Sequence, residues 1–383
     1  MLGIEQDVNS KIYDYDFDYV IGSMHSVVKY GKTYSIDYSL ESFKNLLQNV
    51  YLGNFDALCK DYYSQLEGGE ITATIIDMNV SANPMLEDAV VIECNDGTTH
   101  KTTVRNGCPE PQFRKFYQGV KCSKGEYTQV TDGTAMLSDY SEVDKDLADL
   151  NGNTNQFRLN EAEAHIQGMN NTVQENVIYG NKGKNSSAFD GLATRYNTIS
   201  NTAGDIGYQV IDAGGTGTTN TSIHLIGWSD RATHFIYPKG SKAGLEHNNM
   251  GEVTVQDADG NNYQAYRDYF SWKIGLCVRN YRASGRIANI DVEKLETAEA
   301  TDLIKQMVKL YHRCQKYAKL TKAKLVWYVN ETIFTYLHLQ ALESKNVRLT
   351  YQEVGGEPLI KFLGIPIKLC DQILDTEDTV RAA

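Results

Sequence analysis

Residues 141–154, Ser-Glu-Val-Asp-Lys-Asp-Leu-Ala-Asp-Leu-Asn-Gly-Asn-Thr, lead into the longest helical pattern of the chain. In and just before this stretch, Asp139, Glu142, Asp144, Asp146 and Asp149 gather carboxylates that suggest a metal or acid–base cluster. A solvated acidic face is the better reading of charges strung along the chain in this way. Downstream, Ala162, Ile166, Met169, Val173 and Val177 recur at steps of three and four. That period puts them on one face of a helix over about Phe157 to Tyr179. Asn160 with Glu163 predicts a capping box at its start. At 1.5 Å per residue the helix is on the order of 30 Å long. Gly180, Gly183 and a polar run end it.

Upstream, Val90-Val91-Ile92 and Thr102-Thr103-Val104 flank Asn95-Asp96-Gly97, which predicts a hairpin turning on Asp-Gly. Residues 105–125 mix basic and aromatic side chains: Arg114, Lys115, Phe116, Tyr117, Lys121 and Lys124. This composition fits a nucleic-acid contact, an arm lying on an acidic neighbour, or a plain exposed β-loop. Nearer the start, Tyr13 to Tyr19 alternates rings and carboxylates, the period of a strand. A calcium loop is excluded there, because its sixth and twelfth positions need Gly and Glu and hold Tyr19 and His25. Phe43, Leu46, Leu47, Val50 and Leu58 predict one or two helices over Leu40 to about Leu66.

Beyond the long helix the pattern returns to strands, in Ile223–Trp228, His234–Tyr237, Val253–Val255 and Phe270–Arg279, with a turn at Asp257–Asn261. A second helix is predicted from about Ala298 to Leu320. Ile304, Met307, Val308, Tyr311 and Ala318 form its inner face, and Lys305, Lys309, Arg313, Lys316 and Lys319 a basic outer stripe. Leu325–Val329 reads as a strand, followed by a helix capped by Asn330.

The 383 residues carry a formal charge of −12, which excludes a dedicated duplex-DNA binder but not a container for DNA. No apolar run is long enough for a membrane span, and the start lacks the basic and apolar regions of a signal peptide. Seven scattered cysteines with no close pair speak against a disulfide framework or a zinc site and fit a reducing compartment. Catalytic motifs fail on spacing. Neither Lys239-Gly240-Ser241-Lys242 nor the Gly183-Lys184 region is a Walker loop. Gly214–Gly217 lacks the dinucleotide pattern, and Gly227–Arg231 lacks the last glycine of a nucleophile elbow. The histidines show no HExxH. No catalytic, cofactor or metal residue emerges.

Several ordered strings carry a resemblance. Ser141–Thr154, Ile178-Tyr179-Gly180-Asn181, Phe189–Tyr196, Ile211–Gly217, Ile236–Leu245, Gly251–Thr254, Gln264–Arg267 and Arg286–Val292 resemble stretches of phage major capsid proteins. So do Thr102–Arg105, Phe113–Lys115 and Ser123-Lys124. The family is that of the tailed phage epsilon fifteen. The resemblance implies an α+β, Hong Kong 97-like capsid fold with an N-terminal arm, an E-loop hairpin, a P-domain with a long spine helix, and an A-domain. On that plan residues 1–83 are the arm and a segment of their own, 84–135 the E-loop, and 136–200 the P-domain with its spine. Residues 201–250 are part of the A-domain, 251–320 P-domain strands and the second helix, and 321–383 the remaining A-domain and C-terminus. Because Leu325–Leu369 follows Ser222–Ile290, a permuted connectivity is expected.

The resemblance further implies a shell subunit without catalysis or cofactor. It would self-assemble into hexamers and pentamers of an icosahedral head, in the host cytoplasm, around double-stranded DNA. Scaffolding, portal and cement proteins would be partners, and a membrane would not. Arg105, Arg114, Lys115, Lys121 and Lys124 would meet Asp144, Asp146 and Asp149 of a neighbouring subunit. An encapsulin-like compartment and a soluble hydrolase with a hidden site are the alternatives.

Overall fold

The computed structural model describes residues 26–29, 32–35 and 83–382, apart from 108, 151, 153, 296, 298–301, 343–348 and 355–356. Two units divide the chain, Met1–Thr74 and Ile75–Ala383. In the first, β1 (Ser26–Lys29) and β2 (Lys32–Ser35) form an antiparallel hairpin. The alternating Tyr13–Tyr19 stretch and the helix expected over Leu40–Leu66 lie outside the described residues.

The second unit opens with α1 (Pro84–Asp88), capped by the Asn83 side chain, which accepts from the Met85 amide at 3.0 Å. Proline at its first position loses no helical hydrogen bond. Four strands follow: β3 (Val91–Glu93), β4 (Thr99–Gly107), β5 (Glu126–Gly133) and β6 (Ala135–Asp144). Here the sequence expectation needs correcting. Asp96-Gly97 does turn the chain, with Gly97 at φ 59°. The strands on its two sides do not pair along their length, however. β4 instead pairs antiparallel with β5, from Thr99 opposite Gly133 to Gly107 opposite Glu126. β3 leaves to pair in parallel with Phe235–Tyr237.

α2 (Lys145–Asp149) and α3 (Thr154–Tyr179) come next. The predicted stripe Ala162, Ile166, Met169, Val173 and Val177 is buried. The helix begins at Thr154, so Asn160 is no cap; it sits inside the helix and accepts from Gln156 Nε2 at 2.9 Å, one turn back. The signal was misleading because the polar first turns lack apolar residues to mark their period. The helix stops at Gly180, where an added Cβ would come within 2.4 Å of the Asn176 and Phe189 carbonyl oxygens.

The remaining elements are α4 (Leu192–Arg195), β7 (Thr198–Ile199), β8 (Val210–Asp212), β9 (Asn220–Trp228), β10 (Thr233–Tyr237), β11 (Leu245–Gln256), β12 (Asn262–Val278) and β13 (Gly285–Asp291). After them come α5 (Leu303–Thr321), β14 (Lys324–Val329), α6 (Glu331–Leu342), β15 (Leu349–Val354), β16 (Glu357–Phe362), β17 (Ile365–Leu369) and β18 (Arg381–Ala382). Among the described residues, twelve strands join in one sheet, along the path β11-β12-β10-β9-β14-β17-β16-β15. β6 adds to β12, β3 to β10, and β13 with β8 to β9.

Every residue of β9 is buried, as befits a strand with neighbours on both edges. Ile223 and Leu225 of β9 share a core with Ile287 and Ile290 of β13, Met307 and Leu310 of α5, Ile333 of α6, and Phe362. α5 is capped by Asp302, which accepts from the Lys305 amide at 2.9 Å, and it ends on Lys322 in the left-handed region. Its expected basic stripe loses one member. Arg313 turns inward, stacks 4.1 Å over the Tyr208 ring and donates to the Tyr208 carbonyl. Asn330 caps α6 as predicted, accepting from the Ile333 amide at 3.0 Å. The Asp257–Asn261 turn also forms as predicted, and Asp257 Oδ1 accepts from the Asp259 and Asn261 amides at 2.9 and 2.8 Å.

Candidate assembly surface

Between β4 and β5 the described residues run out as a loop without regular structure. Residues 105–125 hold five basic residues against one acid, Glu110. Arg114, Lys115, Lys121 and Lys124 are all exposed. Arg105 lies in the ladder itself, opposite Tyr127. The rings are exposed too: Phe113, Phe116 and Tyr117 are about as accessible as in an extended chain, at 110, 96 and 108%. Three aromatics left in water on one loop form an exposed apolar patch beside the basic side chains. The ladder that carries them is tight at its root, where Thr102 and Val104 are buried.

The acidic strip occupies the end of β6 and α2. The structure does not bring it against the basic loop within one chain. Asp144 caps α2, accepting from the Asp146 and Leu147 amides at 2.9 and 3.2 Å. Asp149 accepts from the Thr154 hydroxyl at 2.6 Å and so links α2 to α3. Asp146 is exposed in the first helical turn. Around them, Lys145 meets Glu252 at 2.8 Å, Glu142 pairs with Arg267, and Asp139 bonds His165 at 2.7 Å. Two of the three carboxylates chosen from sequence thus have local work, which their spacing alone does not show.

Two buried polar hubs elsewhere in this unit were not visible in the sequence. Glu377 is buried and collects three partners. The Tyr179 and Ser222 hydroxyls donate to it at 2.5 and 2.7 Å, and Arg286 Nη2 donates at 2.8 Å. His224 Nε2 lies 3.1 Å from the Ser222 hydroxyl. Burial, with Arg286 second, holds this imidazole well below its usual pKa, so it is neutral. A second clamp centres on Asp88. It bonds Lys324 at 2.7 Å, Lys368 at 2.9 Å and the Tyr328 hydroxyl at 2.8 Å, tying α1 to β14 and β17. The Trp228 indole completes the chain by donating to the Tyr328 hydroxyl at 2.9 Å.

Comparisons with known proteins give the family and the fold. Residues 67–381 match the family described as Major capsid protein GP7. A structure of bacteriophage Epsilon15 derived from cryo-EM and modelling is 38% identical, covers 77% of this chain and 88% of its own, and superposes with a TM-score of 0.59. The bacteriophage JBD30 capsid is 9% identical, over 75% of this chain and 90% of its own, with a TM-score of 0.44. An encapsulin complex from Synechococcus elongatus PCC 7942 is 11% identical, over 54% and 86%, with a TM-score of 0.35. These last two are too distant to bear on function. No curated protein sequence matches. The match over most of the chain and the Epsilon15 likeness place this α+β chain in the major capsid protein GP7 family, with the Hong Kong 97-like fold of phage shells.

Proposed function

We propose that the chain builds hexameric and pentameric rings of an icosahedral, DNA-filled head by laying its basic, aromatic loop across the acidic strip of the next subunit. The observation that carries this is the loop itself: Phe113, Phe116 and Tyr117 stand in water beside Arg114, Lys115, Lys121 and Lys124. The strip at 139–149 mirrors it, with five acids and one base. Opposite fields steer subunits together, and the desolvated rings supply the lasting affinity. An identical loop and strip on every copy make the contact head-to-tail, which closes into rings. Scaffolding, portal and cement proteins would act on those rings, and the −12 charge suits a wall that does not grip its genome.

The chain's role in this reading is structural and not catalytic. Ser222, His224 and Glu377 have the residue types of a hydrolase, but all three are buried. The Ser222 hydroxyl donates its hydrogen bond to Glu377, and His224 is two residues along the same strand. That arrangement supports a brace for the C-terminal segment.

The test reverses charge on each side. Arg114→Glu with Lys115→Glu should leave a folded subunit that forms no closed particles by negative stain. Adding Asp146→Lys should restore a measurable fraction of shells. Normal particles from the first variant would sink the loop-on-strip contact.

A further inference from the structure

His100, His234 and Cys277 lie far apart in sequence and meet at the root of the loop. Register brings them there. In the β4–β5 ladder, His100 stands opposite Asp132. In the β10–β12 ladder, His234 stands opposite Cys277. The two cross-strand pairs face one another, so one ligand-type atom from each of His100, His234 and Cys277 lies within 4.8 Å of the other two. The imidazoles meet edge to face, 5.6 Å between centroids. Cys277 is fully buried, His234 is 1% exposed, and His100 is partly open to solvent.

The polar atoms here are unsatisfied. Both nitrogens of His234 and Nδ1 of His100 are buried without a hydrogen-bond partner. The Ser229 backbone acts on the His234 ring, but outside hydrogen-bonding geometry. Asp132 Oδ1 accepts from Arg195 Nη2 at 2.7 Å, while its Oδ2 is buried with the Cys277 thiol beside the carboxyl but no partner in hydrogen-bonding geometry. A buried polar group left unpaired costs about 1–3 kcal/mol, and folded proteins rarely leave several together. An occupant that takes one lone pair from each imidazole removes part of this cost, and a cation or a water can do so.

The donor set selects the cation. Two imidazoles and a thiol are the nitrogen and sulfur ligands of zinc-type metals, not of magnesium or calcium. An imidazole ligates through an unprotonated nitrogen and a cysteine as thiolate, so metal binding here releases protons. Tetrahedral bonds of about 2.0–2.3 Å put ligand atoms roughly 3.3–3.8 Å apart. The observed spread closes to that by about an ångström of side-chain movement.

We propose that His100, His234 and Cys277 form a three-ligand site for a zinc-class divalent metal, its fourth position open on the His100 side, that staples the loop hairpin to the central sheet. β4 belongs to the hairpin, and β10 and β12 to the sheet, so the metal would fix the angle at which the loop leaves the body. The cysteine and histidine spacing along the chain gives no hint of it, because the ligands converge only through strand register.

The test uses the full chain carrying Cys122→Ser, which removes an exposed loop thiol. The reduced protein is stripped with a chelator and titrated with Co²⁺ as an optical probe, then with Zn²⁺ by calorimetry. One equivalent should bind, with intense tetrahedral Co²⁺ bands and a thiolate charge-transfer band. Cys277→Ala should remove that band, and His100→Ala should weaken binding by at least about a hundredfold. His100 is only partly buried, so its variant keeps the fold even if Cys277→Ala does not. Absence of stoichiometric binding, a spectrum without the thiolate band, or binding untouched by His100→Ala would each overturn the site.

Discussion

Arg158 of the spine helix grips Asp268 of β12 from two nitrogens, Nε at 3.2 Å and Nη2 at 2.8 Å. His247 of β11 approaches the same carboxylate at 2.9 Å, and the guanidinium lies 5.1 Å over the Tyr266 ring. The pair locks helix to sheet where both are only slightly exposed. Removing one partner of a buried pair strands the other, at about 3–5 kcal/mol. Asp268→Ala should cost that much, since Arg158 then keeps Asn249 and the Tyr266 ring but no carboxylate. Arg158→Ala should cost less, about 2–3 kcal/mol, because His247 still answers the carboxylate. Urea denaturation of the unassembled subunit gives both values, and the reverse order would refute the assignment.

Glu377 is the hub for Tyr179, Ser222 and Arg286. Glu377→Ala leaves Arg286 as a buried, uncompensated charge, with an expected loss of about 3–5 kcal/mol. Glu377→Gln keeps the two hydroxyl contacts and should recover part of it. Thermal melts of the two variants should therefore differ by several degrees.

Acid should loosen the subunit through Asp88 and Asp268. Burial pushes both carboxyls up, but the bonds from Lys324, Lys368 and Tyr328 to Asp88, and from His247 and Arg158 to Asp268, outweigh it and leave both below the usual 3.8. A depressed carboxyl contributes stability that is complete above its unfolded pKa and is lost as pH falls through its folded one. Melting temperature should thus be insensitive to these groups at neutral pH and fall steeply below about pH 4. In Asp88→Asn the starting stability should be lower and the acid slope shallower.

Phe113, Phe116 and Tyr117 contribute nothing to the isolated fold and should matter only between subunits. Replacing all three with alanine should shift subunit stability by no more than about 0.5 kcal/mol. Shell yield, read by sedimentation, should drop at least tenfold. A destabilised monomer with normal shells would contradict the loop's role.

Much of this architecture was readable in the chain, and the failures share one cause. The apolar stripe from Ala162 to Val177 and the inner face from Ile304 to Ala318 obey a local period, so both helices stood out. The rings and charges of 105–125 are adjacent in sequence, so the loop did too. Val91–Glu93 was misassigned because its true partner, Phe235–Tyr237, is far along the chain and leaves no periodic trace. Arg313 was placed on the outer stripe because charge predicts water, whereas the Tyr208 ring and carbonyl offered it a better partner. The brace around Glu377 was invisible for the same reason, since each of its contacts spans ninety residues or more.

That brace also sets an order of events during synthesis. The spine helix ends at Tyr179, but the carboxylate that receives its hydroxyl is made 198 residues later. At about 5–20 residues per second the ribosome needs some 10–40 s to deliver it. Tyr179 waits through all of it, Ser222 through the last 155 residues and Arg286 through the last 91, each without the shared partner. The brace therefore closes only after the chain has been made through Glu377, long after the helix that it holds.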